Sequence, residues 1–567
     1  MLKLLSLLIL ISCSNQKVRI APSFSERAKH ETKAKDFVVA SQGEYTSRAA
    51  VEIIERGGNI IDAFVAASFV VSVERPQSTG IGGGGFLLYY SKAENQVYAF
   101  DFREVAPIRS GPKFFLDKNG NPRPMLSRDG ALAVATPGLV RGLWEIHKRF
   151  GKLPWIETLA PAIKLAEEGF PLYPHLHKAI TIREAALKRD PDAREIFFTE
   201  DGRIPELGYL IIQKDLAETL KKISAQGERG FYQGRVAKSI VQTIKSMNGV
   251  LTQRDLDSYE VRERTPVSTE YKGKTLYSFP PPSSGGVHVI QILKMLEPYN
   301  LKSVGPQTEK ATHLTAMAMQ RAFLDRSLYL GDPEFNDIPT NKLTEESYIK
   351  QLSKTLESET AIKSNALKMI PLPKESTETT HFSLADKEGN MVATTQTING
   401  YFGSGVIARG TGIILNNEMD DFAQKVGVQN LFGAVGGKNN LVSPRKRPLS
   451  SMSPTIVTEN NEAVMAVGSP SGTRIISCVA QTLLNYLEYE MPLYESVAAT
   501  RIHHQYLPDE LKVESPYLEA SVTQSLKDRG YKVVEENLGC SVQAVSKKKK
   551  KLEAVSDPRN EGLALGK

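Results

Sequence analysis

This chain reads as an α/β protein, and three observations say so. A short apolar run, Phe37-Val38-Val39-Ala40, precedes two segments of helical character that meet at Gly57-Gly58. Residues 130–245 and 308–330 carry mostly helical patterning, with Pro137, Pro161 and Pro171 near the breaks. From Thr379 onward, runs that alternate apolar and polar residues dominate instead, as half-buried strands require.

The elements follow in order. Phe37–Ala40 opens the folded part as a strand. Thr46 to Arg56 form a helix that stops at Gly57-Gly58, where glycine accepts the left-handed conformation of a helix end. Asn59 caps a second helix running to Val73. That helix is apolar almost all round, so it is expected to be buried. Gly80 to Gly85 match G-x-G-x-x-G to the letter, but a helix precedes them and the strand Phe86–Tyr90 follows. A dinucleotide loop needs the opposite order, so a tight backbone passage into a core strand is expected. Residues 246–290 are rich in turns, and residues 355–378 are polar and irregular. A helix near Thr473–Tyr486 precedes a strand-rich end. His288, His313, His503 and His504 have no metal-ligand spacing and are expected to be structural, with no metal or cofactor.

Composition narrows the function classes. The chain has 567 residues, 41% hydrophobic and 24% charged, which suits a soluble body with a large core. A net charge of +7 is mild at this length and demands no nucleic-acid partner. The dense basic run Lys547–Lys551 reads as a solvated turn between strands, or as a contact for anionic lipid head groups or glycans.

The start of the chain looks like a targeting segment. Lys3 and the apolar run Leu4–Ile11 are too short to span a bilayer. Leu10-Ile11-Ser12-Cys13 resembles a bacterial lipoprotein cleavage box. Residues 1–12 are then a signal peptide, Cys13 the lipidated first residue, and residues 13–36 a flexible tether; a plain secretory signal is the alternative. The protein is expected in the periplasm or at the cell surface, held to the membrane by a lipid anchor. Only Cys13, Cys478 and Cys540 exist, so at most one disulfide remains once Cys13 is lipidated. Cys478 lies in the apolar run Ile475–Leu483 and is expected to be a buried small residue rather than a reactive thiol.

The most specific local signal is a hairpin. Phe382, Leu384, Met391 and Ala393 supply its apolar positions, and Asp386 to Asn390 its turn. A turn centred on Glu388 sets Thr379 opposite Thr397, so two hydroxyls meet at one end of a rigid element. That suits a nucleophile with an activating neighbour, and equally a surface hairpin whose threonines serve strand propensity.

Several blocks turn the hairpin into a resemblance. Glu378-Thr379-Thr380-His381-Phe382-Ser383 resembles the autoprocessing site of the γ-glutamyltransferases (glutathione hydrolases), which are N-terminal-nucleophile hydrolases. Asp101-Phe102-Arg103-Glu104, Leu415 to Phe422, Arg447 to Pro454 and Gly468-Ser469-Pro470-Ser471-Gly472 match the same family in the same order. The likeness runs from about Phe37 to about Arg559. It implies a four-layer αββα sandwich and cleavage of the Glu378–Thr379 bond. Residues 37–378 then belong to a large chain and 379–567 form a small one, together a heterodimer.

The resemblance also implies roles. Thr379 becomes the nucleophile and the new N-terminus, whose α-amino group titrates near neutrality and serves as its own base. Thr397 orients and activates it. The backbone N–H groups of Ser471 and Gly472 form an oxyanion hole at a helix start, although many members have Gly-Gly there. Arg103 grips the α-carboxylate of a γ-glutamyl group, and Ser450 and Ser451 donate hydroxyls to it. Asn399, Glu418 and Asp421 accept from its ammonium. Residues 424–444 resemble the family's lid, with Phe432 where some members have tyrosine. The implied substrates are glutathione and related γ-glutamyl compounds, with water or an amino acid or peptide as acceptor. A related acylase or poly-γ-glutamate-cleaving enzyme, and a non-catalytic lipid-anchored binding protein, are the alternatives.

Overall fold

The structure is a computed structural model and describes residues 18–22, 27–364 and 378–567. The signal peptide, Cys13 and the end of the polar segment before Glu378 lie outside the described residues. Among those described, no helix is long and apolar enough to cross a membrane.

Two seven-stranded sheets form the centre. The first runs, edge to edge, Leu563–Gly566, Phe37–Ser41, Thr380–Asp386, Met391–Thr397, Gly84–Ser91, Gln96–Asp101 and Arg262–Arg264. The second runs Glu31–Ala34, Lys551–Ser556, Gln543–Lys548, Glu462–Gly468, Thr455–Glu459, Lys274–Ser278 and Val267–Tyr271. Side chains alternate across the first sheet, because successive residues of a strand point to opposite faces. Phe382, Leu384 and Val392 join a core shared with the helices Glu44–Glu55 and Ile60–Glu74. Ala385, Met391 and Ala393 face the second sheet, in a core with Met465, Val467 and Ala544. The helices Gly285–Leu296, Glu309–Tyr329 and Arg474–Leu483 pack into that same core. The layers are helix, sheet, sheet and helix, the expected αββα sandwich.

Local signals behave as their chemistry requires. The Asn59 side chain accepts the N–H groups of Ile61 and Asp62, each at 3.0 Å, and Asp62 accepts the Asn59 N–H in return. The helix it caps is buried throughout. The glycine run enters the strand Gly84–Ser91 directly. At Gly83 a Cβ would collide with the carbonyl oxygen of Thr397, so only glycine lets these backbones approach. Lys549 and Lys550 form the turn of a hairpin. The four histidines are buried, and His288, His313 and His503 have side-chain or backbone hydrogen-bond partners.

Two expectations change. The tether ends early: Arg27–His30 is a helix, and Glu31–Ala34 pairs with Leu552–Val555 at a sheet edge. Its polar composition hid the strand, because an edge strand needs ladder partners more than an apolar face. Cys478 is buried, as expected, but as half of a disulfide with Cys540.

Substituting Gly83→Ala would force the Thr397 carbonyl to move. The expected outcome is a destabilisation of about 1–3 kcal/mol, read as a lower Tm, because overpacking at a backbone contact cannot be relieved by a rotamer change.

Candidate active site

The hairpin register places the two threonines. Thr380 pairs with Gln396, so the next residues outward, Thr379 and Thr397, face each other. Their hydroxyl oxygens lie 3.3 Å apart. Thr397 Oγ1 also accepts the Asn399 amide N–H at 2.8 Å. With that acceptor position filled, the Thr397 hydroxyl proton is free to point at Thr379 Oγ1. Just before Thr379, the Glu378 carboxylate accepts from Ser78 Oγ at 2.6 Å and lies 3.7 Å from His175 Nε2. His381 points to the inter-sheet side and is wholly buried against Gly468, where a Cβ would strike its ring. Its ring nitrogens meet Thr395 Oγ1 at 2.8 Å and Ser383 Oγ at 3.0 Å. Burial pushes its pKa down to about 3, so it is neutral.

Thr379 and Thr397 open onto a cavity that also receives Arg103, Asn399, Glu418, Asp421, Ser450, Ser451 and Gly472. Ser471 does not line it. Residues from five separate stretches of the sequence therefore converge on one cavity. Arg326, Asn430 and Thr473 line the same cavity and were not foreseen.

The head of the cavity is a buried charge cluster. Arg103 Nη1 donates to Glu418 at 2.5 Å, Nη2 to Asp421 at 2.6 Å, and Nε to the Pro448 carbonyl at 2.7 Å. Burial alone would weaken the guanidinium's hold on its proton, but the two carboxylates more than restore it. The fork that was to grip a ligand is thus already engaged with protein. Behind it sits Glu104, both of whose oxygens are buried without a partner, beside a Glu418 oxygen in the same state. Burial first, then the charge of Glu418, holds the Glu104 carboxyl well above the ordinary range. Burial likewise raises Glu418. A proton kept by Glu104 gives one of its two oxygens a partner in Glu418.

The other walls are fixed by backbone. Ser450 Oγ accepts the Met452 N–H at 3.1 Å. Ser471 has φ of 105° and Gly472 of 52°, two successive left-handed positions leading into the helix at Arg474. This geometry explains why glycine suits both positions; Ser471 is held by its hydroxyl, which donates to the Leu538 carbonyl at 2.6 Å. Phe432 packs against Gly472 so closely that a Cβ there would strike the ring. The loop bearing Phe432 is tied down by Asn430, which donates to Asp421 Oδ1 at 3.0 Å and accepts the Phe432 N–H at 3.0 Å. Asn430 could have been found by asking which residue of the 424–444 loop reaches the acidic turn.

The chain is similar to known proteins along most of its length. The family model described as Gamma-glutamyltranspeptidase matches residues 46–566. A glutathione hydrolase proenzyme from Escherichia coli (strain K12) is 40% identical over 534 residues, covering 94% of this chain and 92% of that protein. The crystal structure of cephalosporin acylase from Bacillus halodurans superposes with a TM-score of 0.83 at 25% identity, covering 95% of this chain and 97% of the other. That of Helicobacter pylori gamma-glutamyltranspeptidase gives 0.56 at 37% identity, covering 62% of this chain and 96% of the other.

The proton kept by Glu104 has a measurable sign. Unfolded, Glu104 ionises above its ordinary pKa of 4.5, whereas the folded carboxyl keeps its proton well beyond that. Unfolding at neutral pH therefore releases a proton, so the group's contribution is full below about pH 4.5 and falls as pH rises. Glu104→Gln keeps a donor for Glu418 and cannot ionise. Its Tm should match wild type near pH 4.5 and rise above it toward about pH 7. A gap that does not widen over this range would exclude the retained proton.

Proposed function

Because the chain belongs to the γ-glutamyltranspeptidase family, we propose that it is a glutathione hydrolase and γ-glutamyltransferase that matures by cutting its own Glu378–Thr379 bond. The observation that carries this reading is the Thr379–Thr397 hydroxyl pair at the mouth of a cavity with opposite charges on its walls. Maturation frees the Thr379 α-amino group, which titrates at about 7.7–8.0 and can take the proton of its own hydroxyl. Thr379 Oγ1 then attacks the γ-amide carbonyl, and Thr397 steadies the attacking oxygen. The tetrahedral oxyanion is held by the backbone N–H groups of Ser471 and Gly472. Collapse breaks the C–N bond, and the leaving amine takes the proton held by the threonine amine. The γ-glutamyl ester left on Thr379 is released by water or by an amino acid or peptide acceptor.

The head group is read through both of its charges. Ser450 and Ser451 donate to the α-carboxylate, with Arg103 behind them. Asp421 and Asn399 accept from the ammonium, while Glu418 is largely committed to Arg103 and Glu104. A ligand lacking either charge would leave a buried group alone, which costs more than the contact gains. Export and a lipid anchor at Cys13 complete the reading, supported by the apolar start of the chain.

An acylase of different substrate choice is the second reading, favoured by the likeness to cephalosporin acylase. The charged cavity favours a zwitterionic acyl donor over it. Purified precursor should convert to two chains, the smaller beginning at Thr379, and release p-nitroaniline from a γ-glutamyl anilide. Thr379→Ala should abolish both. A single uncut chain with full activity would sink the mechanism.

A further inference from the structure

The Glu378–Thr379 bond is held from both sides by residues that stand outside the cavity. Arg75 to Thr79 follow the buried helix Ile60–Glu74. Before the bond, Ser78 Oγ donates to the Glu378 carboxylate at 2.6 Å, and His175 Nε2 lies 3.7 Å from it. After the bond, Gln42 Oε1 accepts the Thr380 hydroxyl at 2.9 Å and the His381 N–H at 3.1 Å. Arg75 Nη1 donates to the Gln42 carbonyl at 3.2 Å and so fixes the residue that makes those bonds. The Ser78 carbonyl accepts the N–H of Ile398, the neighbour of Thr397, at 3.4 Å. Ser78 therefore ties the residue before the bond to the strand that carries the activating hydroxyl. Neither Ser78, Arg75 nor His175 lines the cavity that receives Thr379.

Gln42, Arg75, Ser78 and Glu378 are all buried. A carboxylate is costly to bury unless hydrogen bonds and opposite charge meet it. Ser78 supplies the hydrogen bond, and Arg75 supplies charge. Burial alone would weaken the Arg75 guanidinium's hold on its proton, but the nearby Tyr173, Glu561, Glu378 and Glu74 more than restore it. A residue gripped in this way has its carbonyl set in one place relative to the hydroxyl that follows. An error of about 1 Å in such a placement can cost on the order of a hundredfold in rate.

We propose that Ser78, with His175 and Arg75 around the same carboxylate, forms a subsite for the residue before the cut, and that these side chains are positioning residues for self-cleavage rather than for turnover of γ-glutamyl substrates. This rests on the self-cleavage reading above. In the step it serves, Thr379 Oγ1 attacks the Glu378 carbonyl carbon. The hydroxyl proton passes to the Thr379 nitrogen as the C–N bond breaks, and an ester remains. Water then splits the ester into a Glu378 carboxylate and the free Thr379 hydroxyl. The subsite takes a side chain that ends in a hydrogen-bond acceptor, so glutamate and glutamine fit it and an aliphatic residue does not.

The test follows maturation of the full chain after a short pulse of cell-free synthesis, with uncut and small chains resolved on a gel. Ser78→Ala and Glu378→Ala should each slow the cut about tenfold or more, the worth of one hydrogen bond to a charged group. Ser78→Thr keeps the hydroxyl and Glu378→Gln keeps an acceptor, so each should mature faster than the alanine variant at the same position. The two alanine changes combined should be about as slow as the slower one alone, because both remove one interaction. Once cut, both alanine variants should turn over γ-glutamyl-p-nitroanilide with kcat/KM within about twofold of wild type. Should Ser78→Ala yield no soluble chain, Glu378→Ala against Glu378→Gln carries the comparison. Alanine variants that mature at the wild-type rate, or that lose as much turnover as maturation, would overturn the assignment. A wild-type chain that stays uncut would instead sink the self-cleavage reading, and this assignment with it.

Discussion

The bridge from Arg103 to Glu418 and Asp421 is the interaction on which this site depends. Its guanidinium follows a strand of the first sheet, and its two carboxylates lie on a turn more than three hundred residues later. Breaking one side would leave a buried charge alone, a cost of about 3–5 kcal/mol. The same bridge settles much of the surrounding electrostatics. It holds Asp421 where Asn430 can tie the loop bearing Phe432 to it, and it keeps Glu418 beside Glu104, whose carboxyl is held above the ordinary range by burial and by the charge of Glu418.

How far the sequence discloses this site follows from how local each signal is. The hairpin register is legible because a strand has period two and a turn fixes the sum of paired positions. Thr379 facing Thr397 follows from arithmetic on one stretch of chain. The buried helix after Asn59 is legible for the same reason, since its cap and composition are both local. Arg103, Asp421 and the two serines required a family resemblance, because nothing within each block says that the blocks meet. Arg326 escaped even that. It sits near the end of a long helix in the sequence Phe323-Leu324-Asp325-Arg326-Ser327, where an arginine reads as an ordinary last-turn residue that complements the helix dipole.

Other differences have the same origin. The edge strand Glu31–Ala34 has no apolar alternation to betray it, and only its partner Lys551–Ser556 makes it a strand. The disulfide joins the two cysteines that remain once Cys13 is set aside, a pairing the sequence permits but does not require. Ser471 looked like a doubtful substitution for glycine. The backbone there is left-handed, and the serine hydroxyl anchors the loop to Leu538, so side-chain bulk points away from the cavity.

Strand order in the first sheet carries one more consequence. The hairpin Thr380–Thr397 lies between Phe37–Ser41 on one side and Gly84–Ser91 on the other, and Leu563–Gly566 returns to close the far edge beside Phe37–Ser41. A cut before Thr379 would leave two polypeptides woven through each other, with ladder hydrogen bonds crossing between them at three strand boundaries. Neither piece would own a complete sheet. Such a pair is a memory of the uncut chain: once denatured, it has lost the covalent order that laid the strands down, and its durability is a matter of how slowly it comes apart rather than how readily it forms.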